Sequence, residues 1–246
     1  MALPLFPIGS PTSGITGGQP VRAAGWIVKR TPQFNTIVQQ SPSGARVAVP
    51  LYPNNPLWEF EFTYEYIDGR PPSTNPNPYY PAVIPYSDLQ ILQAFYLWAK
   101  GRSNEFVFMP PDAVQTTVSL LNPDANNNVE LTHLIGGVPN LPTANPTTFF
   151  ATISESVQEL NGGSLTVFAN GVNAGGTFTQ QPANTISPYE GIVIAFGGST
   201  PTPPITATFT YFYRVAFGDD SLSFEDFMFQ LTRLGSLKLQ QVRVAP

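Results

Sequence analysis

Short segments rich in Val, Ile, Thr, Phe and Tyr alternate along the chain with turns marked by Gly and Pro. This pattern is typical of many strands joined by turns, and it predicts a mainly all-β fold. The clearest strand is predicted from Trp58 to Tyr66, where apolar and polar residues alternate strictly and so face opposite sides of a sheet. Aromatic rings bury about 150 to 250 Å² each, so the apolar face must meet a core or a partner. The aromatic face comprises Trp58, Phe60, Phe62, Tyr64 and Tyr66, and the opposite face comprises Glu59, Glu61, Thr63 and Glu65.

One helix is predicted from about Ser87 to Lys100. Ser87 and Asp88 offer an N-cap, and Gly101 suits the position after the last turn, where a left-handed backbone is common. Apolar residues recur between these ends at helical spacing. We expect Leu92, Phe95 and Tyr96 to supply the face that packs on the sheet.

Further short strands are predicted on both sides of a Pro-Pro-Asp break at residues 110–112. Asn170 and Gly171 have the composition of a hairpin turn. The segment Ser223–Val244 fits both a helix and a strand, and its alternating end predicts a last strand from Leu237 to Arg243. The other predicted strands are Glu105–Met109, Thr116–Leu121, Ser164–Asn170, Gly191–Phe196 and Thr206–Phe217.

These elements predict two β domains. The first is a β-sandwich or barrel over residues 23–112, completed by residues 206–246 and carrying the helix at about 87–100. A small β domain over residues 113–205, poor in Lys and Arg, is inserted between its two halves. Residues 1–22 form an extended arm that is either disordered or docked on a neighbour, and the proline-rich residues 69–85 form a long loop.

Charge is scarce in this chain. Charged residues make up 11% of it, against an average near 25% in soluble domains, so its surface must be unusually neutral. Two interpretations remain open: much of the surface is buried against other subunits, or a monomer is coated with Ser, Thr, Asn and Gln. The net charge of −5 and the lack of a basic stripe argue against a nucleic-acid-binding protein, because such proteins gain affinity by neutralising phosphates.

Little in the sequence supports catalysis, and we expect no enzymatic activity, cofactor or resident metal. The chain has no Cys, which excludes thiolate nucleophiles and Cys-ligated zinc. No phosphate loop, dinucleotide fingerprint or zincin motif occurs. The single histidine, His133, is interpreted as a packed or surface strand residue rather than a catalytic one.

Two acidic groups could support other chemistry. Glu59, Glu61 and Glu65 are compatible with a glycosidase pair, but any strand with one polar face has this spacing. A second group lies near the end of the chain and lacks the pattern of a dedicated calcium loop, so a solvated turn is favoured. It comprises Asp219, Asp220, Glu225 and Asp226.

The first residues lack a basic region and an uninterrupted apolar stretch, so they do not resemble a signal peptide. No run of about 18 apolar residues occurs, so no membrane-spanning helix is predicted. We therefore expect synthesis in the cytoplasm.

Several segments in order resemble the distal tail proteins of long-tailed bacteriophages and gene transfer agents, and the related phage minor tail proteins. The segment Thr36–Ile67 resembles the family's pattern of a Ser-Gly turn, an Arg and a strand with the order Pro-Leu-Trp-aromatic-Glu. Asp88–Asp112 resembles the family's helix, Gly turn and aromatic strand ending at Asp. A third set of segments resembles the family's closing region, in which a V-x-x-N-G-V hairpin and a G-x-V-x-F strand lead to a hydrophobic strand, an R-V-x-F step and a D-x-L turn. In this chain these segments are SLTVFANGV, GIVIAF, ITATFTYFYRVAFGDDSLSFEDF and LKLQQVRV. Two stretches, Gly69–Pro85 and Asn122–Asn161, are longer than the family pattern, so no role carries over to them.

The resemblance implies a tail-tube-like β domain and a structural virion protein of the tail tip or baseplate. It implies a homo-oligomeric, hexameric ring that joins the tail tube protein to the tip, hub and other baseplate proteins, with DNA only passing through the lumen. A closed ring needs contacts on two sides of each subunit, which agrees with the charge-poor, aromatic-rich composition. We expect Glu59, Glu61 and Glu65 to face the lumen, where carboxylates would repel DNA.

Two alternative functions remain open besides that of a structural tail protein. A carbohydrate-binding module for receptor recognition would stack sugars on exposed aromatics, for which Tyr189, Phe149 and Phe150 are candidates, although core or interface packing is favoured for them. A tail-tip hydrolase would use Glu59 and Glu61, but no histidine neighbourhood supports it.

Overall fold

The short alternating segments of the sequence form strands, and the all-β prediction is confirmed. A computed structural model describes residues 3–7, 28–50, 56–68, 87–110, 112–139, 150–161, 163–175, 178–183, 185–186, 190–197, 200–228 and 231–243. Within these residues the strands do not close into a barrel, so the barrel alternative is wrong. Strand Val28–Gln33 is an edge strand of its sheet. Pro32 within it has no amide hydrogen to donate to a further strand, which suits this edge position.

The described elements are seventeen strands and one helix. The first nine elements are β1 (Val28–Gln33), β2 (Thr36–Gln40), β3 (Arg46–Pro50), β4 (Leu57–Asp68), α1 (Asp88–Ala99), β5 (Phe106–Phe108), β6 (Val114–Ser119), β7 (Asn128–Glu130) and β8 (Thr132–Pro139). The others are β9 (Phe150–Ser156), β10 (Glu159–Leu160), β11 (Thr166–Ala169), β12 (Val172–Asn173), β13 (Phe178–Gln181), β14 (Val193–Phe196), β15 (Ile205–Phe217), β16 (Phe224–Met228) and β17 (Leu231–Gln241).

The chain divides into two units. Unit 1 comprises Met1–Val107 and Val215–Val242, and unit 2 comprises Phe108–Arg214 and Arg243–Pro246. The sequence places an inserted domain at residues 113–205, which falls within unit 2. Unit 2 also takes most of β15, so the division falls inside that strand rather than before it. A long strand can contribute its two ends to different cores, and its sequence carries no turn signal at such a point.

The main sheet of unit 1 is antiparallel, with β4 between β1 and β17, and with β16 and the end of β15 on the far side of β17. Phe60, Phe62 and Tyr64 of β4 are buried, as strict alternation requires. The alternation then fails, because Ile67 is buried where Tyr66 was expected to point inward. The β4–β17 pairing shifts register at this point, which re-aims the following side chains. The side chains of Glu65 and Tyr66 lie outside the described residues.

Helix α1 begins and ends as predicted. The Ser87 hydroxyl accepts a hydrogen bond from the Gln90 amide, and the Gln90 side chain accepts one from the Ser87 amide, which forms a capping box. Lys100 and Gly101 both have left-handed backbones at the other end. Leu92 is fully buried, and the Phe95 ring lies 5.0 Å from that of Phe106.

Part of the expected N-terminal arm belongs to the core of unit 1. Leu5 forms a parallel bridge with Val107, and the buried Phe6 ring lies 5.6 Å from Phe106 and 5.9 Å from Phe62. The expectation of an arm that is disordered or docked on a neighbour is therefore wrong for residues 3–7. The proline-rich composition of this segment gave no indication that Phe6 belongs to the core. Residues 8–22, like the proline-rich loop at 69–85, lie outside the described residues.

The described strands of unit 2 belong to three sheets. Strands β6, β10 and β11 pair with β15, and β12 pairs with β11 through a turn in which Asn170 and Gly171 both have positive φ, as the sequence predicts. The order in the second sheet is β13-β14-β7, and β8 pairs with β9 in the third.

In unit 1, the segment Ser223–Val244, which fits both a helix and a strand by sequence, forms β16 and β17. Its strand interpretation is therefore right and its helix interpretation is wrong.

Candidate assembly surface

The most unusual surface of unit 1 is the hairpin β2–β3. Its register pairs Ile37 with Val49 and Gln39 with Val47, so these four residues share one face. The side chains of Ile37, Val47 and Val49 on this face are 51%, 60% and 55% exposed. We call these three residues the hairpin face. A β-branched face of this kind normally packs on a core.

The hairpin is a regular structure and not an irregular loop. Its turn is closed by two backbone hydrogen bonds of 2.9 Å, from the Ser41 amide to the Ala45 carbonyl and from the Gly44 amide to the Ser41 carbonyl. Gly44 has a φ of 84°, a conformation that other residues rarely adopt. Arg46 carries the only charge of the hairpin and lies opposite Gln40, away from the hairpin face.

A second apolar surface of unit 1 lies at the end of α1. Leu97 is 73% exposed and Trp98 is 45% exposed, and we call these two residues the helix-end patch. The Trp98 ring lies 5.5 Å from the ring of Phe95, and the Asn104 side chain donates a 2.9 Å hydrogen bond to the Trp98 carbonyl. The patch is therefore held in place by the helix and by the turn that follows it.

On the polar face of β4, the described carboxylates lie beside basic or polar side chains of the neighbouring strands. Glu61 pairs in register with Lys29 on β1 and with Lys238 on β17, and the Lys29 Nζ lies 3.4 Å from Glu61 Oε2. Glu59 accepts a 2.9 Å hydrogen bond from the Gln33 side chain. Basic residues on both neighbouring strands thus lie beside Glu61 and compensate its charge, while the assignment of this face to the lumen stays a prediction. The sequence of β4 alone could not show this compensation, since the lysines come from distant segments.

His133 lies in a buried polar cluster of unit 2. Its Nε2 is 3.4 Å from Glu155 Oε2, its partner in the β8–β9 register, and Tyr213 donates a 3.4 Å hydrogen bond to the same oxygen. The His133 ring stacks on Tyr211 at 4.1 Å. His133 and Glu155 are both almost fully buried, so a substrate could not reach them. Sequence reasoning missed Glu155 and Tyr213, because only the folded register brings them to His133.

The acidic turn after β15 contacts the end of α1 and the turn that follows it. Asp220 Oδ1 accepts a 3.0 Å hydrogen bond from the Arg102 amide, and the Tyr96 hydroxyl donates to the Asp219 carbonyl at 3.2 Å. Burial, followed by the charges of Asp220 and Asp219, raises the pKa of Tyr96. In the described part of the chain no three His, Cys, Asp or Glu side chains form a group that could hold a metal ion.

The proposed glycan-stacking residues cannot be placed in a site. Tyr189 and Phe149 lie outside the described residues, as does the side chain of Phe150, whose backbone begins β9. Among the described residues, no helix is long and apolar enough to cross a membrane. No protein-family model matches the chain, and no curated protein matches its sequence.

Proposed function

We propose that the chain is a structural subunit of a bacteriophage tail tip, which assembles with further copies of itself into a ring, hexameric by resemblance, at the end of the tail tube. The observation that carries the proposal is the hairpin face, an exposed β-branched surface on a regular hairpin of a charge-poor chain. Such a surface is typical of a protein that functions as part of an assembly.

The free energy available from covering this surface favours association. Fully burying one Val or Ile side chain stabilises a structure by about 1.5 to 3 kcal/mol. The three residues of the hairpin face are each about half exposed, so covering them contributes on the order of 2 to 4 kcal/mol per contact. Repeated at every contact of a closed ring, this gain offsets part of the free energy that association costs in lost translational and rotational freedom.

The polar face of the β1-β4-β17 sheet is the surface we assign to the lumen. Glu59 and Glu61 lie on it, and the backbone of Glu65 continues the same strand. Cross-strand compensation leaves no basic stripe there, so DNA passing through the ring would meet a hydrated surface with little attraction for phosphates. A density map of the ring with Glu59 and Glu61 on its outer wall would contradict this assignment.

Immunogold labelling tests the place of the chain in the virion. Antibody raised against the purified chain should label one end of the tails of the phage that encodes it, and competition with free chain should remove the label. Label along the whole tail, or none on intact and detergent-opened particles, would contradict the proposal. The tail tube protein and the tip, hub and baseplate proteins are the neighbours expected at that end.

A further inference from the structure

We infer that each contact of the ring joins two different surfaces of unit 1: the hairpin face of one copy packs on the helix-end patch of the next copy. This inference rests on the proposed self-assembly and names the surfaces that would carry it. The residues are Ile37, Val47 and Val49 on one side and Leu97 and Trp98 on the other.

Symmetry favours a second copy of this chain as the occupant of both surfaces. A ring forms only through heterologous contacts, in which each subunit offers two different surfaces that complement each other. The described residues of unit 1 include both of these apolar surfaces, and each is built from uncharged side chains. A contact of hairpin with hairpin would be isologous, would stop at a dimer and would leave the helix-end patch uncovered.

The two surfaces differ in a way that suits packing. The hairpin face consists of exposed β-branched residues, whereas the helix-end patch offers a partly exposed indole. Trp is among the residues most enriched at the centres of interfaces. The Trp98 ring already packs against the Phe95 ring, so less side-chain freedom would be lost when a partner covers it.

The extent of the hairpin also suits an interface. A stable interface commonly uses about 20 to 30 residues on each side. Residues 36–50 supply a large share of one side, and every residue of β2 is exposed.

Val172 of β12 in unit 2 serves as a matched control. It is exposed and as apolar as the residues of the hairpin face, but it belongs to a strand of two residues and so offers no comparable surface.

Engineered cysteines test the contact directly, because the chain has no cysteine of its own. Single variants Ile37→Cys, Val47→Cys and Val49→Cys would each be mixed with Leu97→Cys under mild oxidation. We expect at least one mixture to give a reducible covalent dimer, and the corresponding double variant to give a ladder of larger covalent species. A disulfide forms only when the two Cα atoms lie within about 7 Å, so the product reports direct contact. Each hairpin variant mixed with Val172→Cys should give no covalent dimer.

The possible outcomes separate this inference from the proposed function. If the wild-type chain assembles but no mixture with Leu97→Cys cross-links, the pairing of surfaces is wrong and the self-assembly stands. Covalent dimers formed by a hairpin variant alone would show an isologous contact and overturn the inference. If light scattering shows that the wild-type chain stays monomeric and no mixture cross-links, both proposals fail together.

Trp98→Ala provides a second measurement that does not depend on cysteine geometry. It should reduce the assembled fraction at least tenfold while leaving the urea unfolding midpoint of the monomer near that of the wild type. An assembled fraction equal to that of the wild type would overturn the assigned contact.

Discussion

Two antiparallel strand pairs of unit 1, β1–β4 and β2–β3, lie close together in the sequence but have opposite relations to the core. In β4 the apolar face is buried, and Phe60, Phe62 and Tyr64 pack inside unit 1. In β2–β3 the residues Ile37 and Val49 form an equally regular pair, and both stay exposed. Alternation thus identifies the residues that share a face, but it does not tell whether that face meets its own core or another molecule.

The sharpest test of this difference is a truncation in each pair. Phe62→Ala should lower the free energy of unfolding by about 3 to 5 kcal/mol, because it leaves a cavity in the core. Ile37→Ala should lower it by only about 1 kcal/mol, because only about half of the side chain is covered in the monomer. Urea denaturation at a protein concentration that keeps the chain monomeric measures both values. Similar losses in the two variants would show that the hairpin face is buried in the monomer.

Two glycines with positive φ extend the comparison to turns. An ideal Cβ on Gly101 would lie 2.8 Å from Asp220 Oδ1 and 3.2 Å from Asp220 Cα, whereas one on Gly44 would meet nothing within 4 Å. Gly44→Ala should cost about 1 kcal/mol from backbone strain alone, and Gly101→Ala roughly 2 kcal/mol or more. Thermal unfolding of both variants checks the order. A larger loss for Gly44→Ala would contradict the open environment of the hairpin turn.

Two serines provide a smaller effect. Ser87→Ala removes the N-cap of α1 and should cost about 1 kcal/mol. Ser41→Ala removes only an exposed contact between the Ser41 and Ser43 hydroxyls and should stay within about 0.5 kcal/mol of the wild type. The two unfolding curves in urea, measured side by side, give the difference. Equal values would indicate that the capping box contributes little.

The smallest effect concerns unit 2, where partial burial raises the pKa of Glu159 and the nearby Arg214 opposes that shift. A raised pKa means that the folded chain retains the proton at pH values where the unfolded chain has lost it. The contribution of Glu159 to stability therefore falls as the pH rises through this range. Glu159→Gln should accordingly gain stability relative to the wild type as the pH rises above 4.5, the ordinary pKa of a glutamate, as measured by urea midpoints. A relative loss over the same interval would reverse the sign of the expected shift.

The sequence predicts elements whose signals are local. The alternation of β4, the caps of α1 at Ser87 and Gly101, and the turn at Asn170 and Gly171 all depend on neighbouring residues, and the structure contains each of them. The failures depend on distant residues. The inward turn of Ile67 follows from the register with β17, and the burial of Phe6 follows from strand β5 about a hundred residues later.

The features of the candidate assembly surface also fall into those that depend on neighbouring residues and those that depend on distant ones. Glu59 and Glu61 could be assigned to one face from β4 alone, but Lys29 and Lys238 join that face only when β1 and β17 pair with β4. The hairpin face was not predicted, because β2 and β3 contain ordinary β-branched residues. Their local sequence does not tell whether another part of the fold covers them. Composition gave the one general signal, a shortage of charge that favours burial between subunits.

The solution mass of the purified chain tests the central claim most directly. Light scattering across a range of concentrations, followed by negative-stain imaging of the largest species, should show closed rings for the wild-type chain. An Ile37→Ser, Val49→Ser variant should give monomers of unchanged fold. A wild-type chain that stays monomeric at every concentration, with the same mass as the double variant, would contradict the assignment of the hairpin as an assembly surface.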